Sequence, residues 1–260
     1  MGSGVLIVAL PRRRRLVARI PRGRGRQSTT ALGHSQEVGR SDPAQATFYD
    51  RWFDSAWGHY AFEVERAALE RAVGPLEGCR VLEVGCGTGR FTAAVEQHAG
   101  SVIGVDLDPA MLAIAARRVR APLLVADAQH LPFDDATFDV TMAVTLCEFV
   151  TDPHLVVGEL GRVTRPGGRI AIGALNARSA WGMARRRRLR RPPWQAAHFV
   201  TRQELVSFGR PLGRVTLHAA LFAPGALPGL DKVGPLLEGL ERACPRFGAF
   251  QVLVVDKTGS

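Results

Sequence analysis

The run Val81-Leu82-Glu83-Val84-Gly85-Cys86-Gly87-Thr88-Gly89-Arg90-Phe91 constrains the fold more than any other part of this 260-residue chain. A short apolar, β-branched stretch that breaks into glycines predicts a buried strand, a tight turn and a helix start. Glycine permits positive φ and lets a ligand approach the backbone closely. The helix that follows offers unpaired N–H groups to a carboxylate or phosphate. A purely structural strand-to-helix turn has the same signature, so the run alone leaves two readings open.

The rest of the chain narrows the architecture. Strands are expected at 80–84, 101–105, 122–126, 138–144 and 169–175, and helices at 90–98, 109–118 and 154–163. Short β-rich runs separated by helices of about ten residues read as right-handed βαβ units on a parallel sheet. Upstream, Ser41-Asp42-Pro43 is a helix start. Phe48, Trp52, Phe53 and Trp57 recur at helical spacing, and a second amphipathic helix is expected over 59–73, stopped by Gly74-Pro75. Past Leu175 the pattern loosens. It predicts a basic helix over 176–189, a short helix at 201–208 capped by Thr201, a strand at 215–221, a helix at 233–243 broken near Gly234-Pro235, and a last strand at 249–255.

Spacing selects the ligand. A dinucleotide fingerprint beginning at Gly85 requires glycine at position 90, where the chain has Arg90, which disfavours a nicotinamide oxidoreductase. The observed pattern is G-x-G-x-G with an acid two residues ahead of it. Through Glu83, Gly85, Gly87 and Gly89 it resembles the first motif of class I S-adenosylmethionine-dependent methyltransferases, in particular the small-molecule branch that includes the ubiquinone and menaquinone C-methyltransferases. Three later segments resemble the same family: Gly104-Val105-Asp106-Leu107-Asp108; Ala126-Asp127-Ala128 through Leu131-Pro132-Phe133; and Arg162-Val163-Thr164-Arg165-Pro166-Gly167-Gly168.

The resemblance implies a doubly wound α/β fold with a seven-stranded, mostly parallel sheet in the order 3-2-1-4-5-7-6, and S-adenosyl-L-methionine as cofactor. It implies that Asp106 accepts the ribose hydroxyls, that Leu107 and Met111 flank the adenine, and that Asp127 and the N–H of Ala128 read its edge. Cys86 and Thr145 complete the expected cofactor contacts. Tyr49, on the aromatic helix where the family places a lid, is expected to reach the cofactor's carboxylate. Asp108 reads as a helix cap and the Pro166-Gly167-Gly168 turn as structural.

No catalytic base stands out. Methyl transfer from a sulfonium is an in-line displacement at an activated donor, so proximity and orientation do most of the work. Where an acceptor must lose a proton, the candidates are Glu148, His154, His198, His59 and Tyr49. Glu148 and His154 follow strand four, at the carboxyl edge where such sheets bind ligands.

Charge locates the remaining possibilities. Of the net +10, residues 1–40 carry +8 and the seven arginines of 178–191 carry a further +7, leaving the rest of the folded part acidic. Residues 1–40 lack a hydrophobic period and read as a disordered Arg-rich segment, a transit-type leader or an upstream start codon. One domain is expected over 41–260, with the cofactor core at 78–175 and substrate-side elements at 41–73 and 176–210. The tract at 178–191 is a solvated basic face or an anion site. Thr145-Leu146-Cys147-Glu148 stands where base-modifying relatives carry an Asn/Asp-Pro-Pro-Tyr-like tetrapeptide, which argues against nucleic acid as substrate. The alternative is a non-catalytic relative that binds a partner or nucleic acid through its arginines. Four scattered cysteines with no metal spacing and no long apolar run point to a cytoplasmic protein with no metal and no membrane span, and the resemblance implies an enzyme acting on a small-molecule acceptor. The acceptor and the oligomeric state stay open.

Overall fold

The structure, a computed structural model, describes residues 42–183, 197–223, 225 and 230–259. The Arg-rich segment 1–40, Arg185–Arg191 and the rest of the basic helix expected beyond Met183 lie outside the described residues.

Helix α1 (Pro43–Trp52) and helix α2 (Ala56–Val73) precede the sheet. The chain then alternates β1 (Arg80–Val84), α3 (Arg90–Glu96), β2 (Ser101–Asp106), α4 (Pro109–Ala115), β3 (Leu123–Val125), β4 (Phe138–Val144), α5 (Pro153–Val163) and β5 (Thr164–Leu175). It ends with α6 (Arg202–Gly209), β6 (Gly213–Ala220), α7 (Leu230–Glu238) and β7 (Phe250–Lys257). The seven strands lie in the order β3-β2-β1-β4-β5-β7-β6, as expected. β7 runs antiparallel to both β5 and β6, and the pairings among β1 to β5 are parallel.

Both faces of the sheet are covered, so successive strand residues feed two separate cores. Val81, Val140, Met142 and Val252 pack with Leu69 and Val73 of α2, Val95 of α3 and Leu112 of α4. Leu82, Val84, Ala143 and Leu253 pack on the other face with Val156 and Leu160 of α5 and Leu205 of α6. The near-continuous apolar runs of β1 and β4 follow from burial on both sides.

Three local expectations are corrected. The aromatic helix does not run through to Trp57: α1 stops at Trp52 and α2 starts at Ala56, not His59. Ser55 is the reason, since its hydroxyl accepts from the Gly58 N–H at 3.1 Å and caps α2. The two helices cross so closely that a Cβ at Gly58 would fall 2.1 Å from the Trp52 carbonyl oxygen. β5 begins at Thr164, five residues early, because Thr164 pairs with Phe138 ahead of a register shift and the Pro166-Gly167-Gly168 turn becomes an irregularity inside the strand. α7 continues through Pro235 to Glu238 where a break was expected. Helix ends elsewhere differ by one to three residues, and Thr201 caps α6 in a reciprocal box with Glu204.

Candidate active site

The carboxyl ends of β1, β2, β3 and β4 converge beneath α1. At the end of β1, Gly85, Gly87 and Gly89 all have positive φ. Two of them are glycine for packing reasons as well: a Cβ at Gly85 would meet Leu146 at 2.8 Å, and one at Gly89 would meet Ala115 at 2.9 Å. Gly87 differs. A Cβ there meets nothing within 4 Å, so its bare backbone borders open ground rather than protein. That is the geometry of a cradle for an external group.

Asp106 closes the turn from β2. Its carboxylate accepts the Gly87 N–H at 2.7 Å and the Asp108 N–H at 2.9 Å. Burial pushes its pKa up, with those amide bonds opposing. A carboxylate has about four lone-pair sites, so these amides do not exhaust its capacity for further donors. Asp108 caps α4, as expected, accepting from the Ala110 N–H. Cys86 is a residue of the turn itself: its N–H donates to the Val105 carbonyl, its own carbonyl accepts from Gly89, and a Cβ at Gly104 would lie against its Sγ. Glu83, buried, accepts the hydroxyl of Thr92 on α3, and burial raises its pKa to about 8. Leu107 is exposed and Met111 half-buried beside it in sequence on α4. Asp127 follows β3, where the Ala126 N–H reaches the Asp106 carbonyl, and it holds its own loop by accepting from the Gln129 N–H and meeting His130.

That loop is pinned from α5. Arg162 donates to the carbonyls of Phe133 (2.7 Å) and Leu131 (3.0 Å), while Glu159 accepts the Leu131 N–H and pairs with Arg162. Arg162, on the helix just ahead of the Pro166-Gly167-Gly168 turn, therefore holds residues 131–133 of the loop that follows Asp127.

A clamp invisible in the sequence ties α1 to the glycine turn. Asp50 accepts from the Thr88 hydroxyl (2.8 Å), Arg90 Nε (3.0 Å) and Arg118 Nη2 (3.0 Å), and Arg118 also donates to the Thr88 carbonyl. Burial works against its ionisation, but the Arg118 and Thr88 hydrogen bonds and the two guanidinium charges win, and its pKa is lowered. Arg90, the residue that breaks the dinucleotide pattern, is one of the clamp's anchors.

Behind the clamp, Tyr49, Trp52, Phe53, Trp57, Thr145 and Trp181 are among the residues around a narrow cavity of about 30 Å³. Thr145 holds a positive φ at the end of β4, its N–H donating to the Gly173 carbonyl. Glu148 lies fully buried next to this cavity. Its Oε1 accepts the Leu175 N–H at 2.6 Å, while its Oε2 has no hydrogen-bond partner. Burial lifts its pKa to about 7, against the pull of the backbone bonds. Glu65 of α2 lines the cavity, and burial together with the Glu148 charge lifts it to about 8. Burial, then the charges of Glu65, Asp106 and Glu148, raises the Tyr49 phenol, which Arg90 opposes.

Among the candidate bases Tyr49 lines the cavity, and Glu148 lies behind Leu175, one of its lining residues. His154 is exposed and packs edge-on against Phe208 of α6, at 4.8 Å, on the other face of the sheet. His198 is exposed too, and it is its main-chain N–H that donates to the Glu148 carbonyl. His59 is exposed on α2. Glu65 was missed. The signal was present, because Ala61, Ala68 and Leu69 share its helical face and all are buried.

Fold and cradle together define a class I methyltransferase architecture. The comparisons agree. A methyltransferase domain model matches residues 82–172. A protein of uncharacterised function from Methanocaldococcus jannaschii is 32% identical over 186 residues, which span 71% of this chain and 86% of that one. A demethylmenaquinone methyltransferase from Clavibacter sepedonicus is 39% identical over 41% of this chain and 45% of its own length. Among solved structures, a Thermotoga maritima S-adenosylmethionine-dependent methyltransferase, a possible histamine N-methyltransferase, superposes with a TM-score of 0.67 at 24% identity, covering 83% of this chain and 97% of that one. The chain belongs to the S-adenosylmethionine-dependent class I methyltransferases. A non-catalytic role finds no support. No helix among the described residues is long and apolar enough to cross a membrane.

Proposed function

We propose that this enzyme methylates a small-molecule acceptor held between α1, α2 and the ends of β4 and β5, with Glu148 taking the acceptor's proton. S-adenosylmethionine, when bound, supplies a sulfonium-activated methyl carbon that an acceptor lone pair attacks while the carbon–sulfur pair returns to sulfur. The residues of the cradle fit it. Asp106 has lone pairs left for sugar hydroxyls, and Leu107 and Met111 offer apolar surface to a flat base. Asp127 and the Ala128 N–H serve the base edge, and Gly87 leaves room for the chain that joins sugar and sulfur. Glu83, Gly85, Cys86 and Gly89 build the turn, while Thr145 and Tyr49 border the junction between cofactor and acceptor.

The observation that carries the assignment is the unpartnered, fully buried Oε2 of Glu148. A buried carboxyl oxygen without a donor costs folding free energy, on the order of 1–3 kcal/mol, and is retained where function uses it. Free thiols at the four cysteines support a reducing, cytoplasmic setting. The experiment is the pH dependence of kcat/KM. A base must be deprotonated to act, so the rate should rise with pH through about 7, the Glu148 value, modified by coupling to Glu65. Glu148→Gln should lose that limb and about 10²-fold or more in kcat, with S-adenosylhomocysteine affinity kept. An unchanged limb in Glu148→Gln would falsify the role.

A further inference from the structure

The cavity behind the Asp50 clamp joins two features with a common explanation. Its wall is made of ring faces and edges: Tyr49, Trp52, Phe53, Trp57, Phe91 and Trp181. Tyr49 and Trp52 meet Phe53 edge-on at 5.4 and 4.9 Å, and Trp181 lies 6.0 Å from Phe199. Glu65, at 8% exposure, lines this shell, and Glu148, at 1%, lies behind it with its Oε1 on the N–H of the lining residue Leu175. Among the described residues, the Oε2 of Glu148 has no hydrogen-bond partner. Arg90, whose charge acts on the neighbouring Tyr49, is paired with Asp50.

Two ionised acids brought together in a low-dielectric, aromatic surrounding are costly unless they take up a proton or a cation joins them. Aromatic faces attract cations as well, through the negative face of the ring quadrupole. An anionic acceptor would be repelled by both carboxylates, and a neutral phenol or carbon acid would use neither the rings' charge preference nor the second acid.

We propose that this cavity is a cation site that receives the ammonium head of an amine acceptor, with the aromatic box around it and Glu65 and Glu148 as its counter-charge. The inference rests on the methyltransferase reading and makes it specific to nitrogen. Inside the site, an N–H bond of the ammonium breaks, its electron pair stays on nitrogen as the attacking lone pair, and the proton forms an O–H bond at Glu148 Oε2. The charge of the head favours the ionised form of Glu65, which then holds it in place. The groups around this proton are the Leu175 N–H from β5, which donates to the other oxygen of Glu148, and the Glu65 carboxyl and Tyr49 hydroxyl from the helices, on which the Glu148 charge acts.

Calorimetry with the full chain tests it, using choline as a quaternary ammonium and its neutral isostere 3,3-dimethylbutan-1-ol, each with and without saturating S-adenosylhomocysteine. Choline should bind at least about tenfold tighter than the alcohol, and both with and without S-adenosylhomocysteine. Binding a cation favours ionised carboxylates, so choline should release protons near neutral pH and bind tighter above about pH 8 than below about pH 6. Glu65→Gln should cost choline about tenfold or more while leaving S-adenosylhomocysteine affinity within about twofold. Equal affinity for the alcohol, no choline binding at millimolar concentration, or loss of choline binding when S-adenosylhomocysteine is added would each overturn the proposal. The last would place the box on the cofactor side. Failure of S-adenosylhomocysteine itself to bind would instead strike the methyltransferase reading.

Discussion

Replacing Asp50 with Ala should release α1 from the glycine turn and carry the aromatic wall with it. The carboxylate accepts one hydroxyl and two guanidinium hydrogen bonds. A hydrogen bond to a charged group contributes about 1.5–3 kcal/mol when solvent is excluded. Arg90 and Arg118 are 18% and 26% exposed, so both can turn to water when the acid is gone, and Arg118 keeps the Thr88 carbonyl. Discounting the sum over three partners by about half for that solvation leaves a loss of about 2–4 kcal/mol. For a folded unit of this size that corresponds to about 4–16 °C in Tm. The pH dependence has a definite sign. Asp50 has a lowered folded pKa, so its contribution is present above the ordinary aspartate value of about 4 and fades as pH falls below it. Thermal and urea unfolding at neutral pH, repeated near pH 3, measure the effect, and an Asp50→Ala, Arg118→Met double-mutant cycle isolates the coupling. S-adenosylhomocysteine affinity should fall as well, because Thr88 loses its anchor. A variant with wild-type Tm, wild-type affinity and no coupling to Arg118 would refute the clamp.

Wild-type chain should bind S-adenosylhomocysteine and gain thermal stability by mass action, while NADH should do neither in the same calorimetric and melting assays. Asp106→Ala should weaken cofactor-analogue binding by about 1–3 kcal/mol in calorimetry, since ribose hydroxyls lose their acceptor, and wild-type affinity in a folded variant would remove Asp106 from the site. Gly87→Val should abolish binding while leaving the core intact, because its side chain enters open ground and not packed atoms, whereas Gly89→Val should also lower Tm through its contact with Ala115. Arg162→Ala should loosen the loop that carries Asp127, seen as faster amide exchange at 127–133 and weaker analogue binding; exchange equal to wild type would show the loop to be held otherwise. Glu65 has a folded pKa raised to about 8, so the folded state prefers its protonated form and loses stability as pH rises from about 4.5 toward 8. Glu65→Gln should therefore raise Tm above about pH 8 and change it little below about pH 5, and a Tm difference that does not vary with pH would contradict burial of the charged acid.

What the sequence determined by itself was local and periodic. The glycine turn after β1, the alternation of strand and helix, the caps at Asp108 and Thr201, and the acid at the end of β2 are all set by neighbours a few residues away, and each stands where its pattern placed it. The strand order came through family resemblance, since pairing in a parallel sheet is not written in any one strand. Only the tertiary structure decided where the aromatic helix breaks, because a Ser55 cap and the close crossing at Gly58 outweighed an unbroken helical spacing of aromatics. It also decided the fate of the polar candidates. His154 and Glu148 both follow β4, yet one packs on Phe208 in the opposite layer and the other is folded under Leu175. Asp50 meets Arg118 across 68 residues of chain, and Glu65 meets Glu148 only when α2 lies over the end of β4. Periodicity reports which face of an element is buried and is silent on what it is buried against, and charge pairing and pKa depend entirely on that second question.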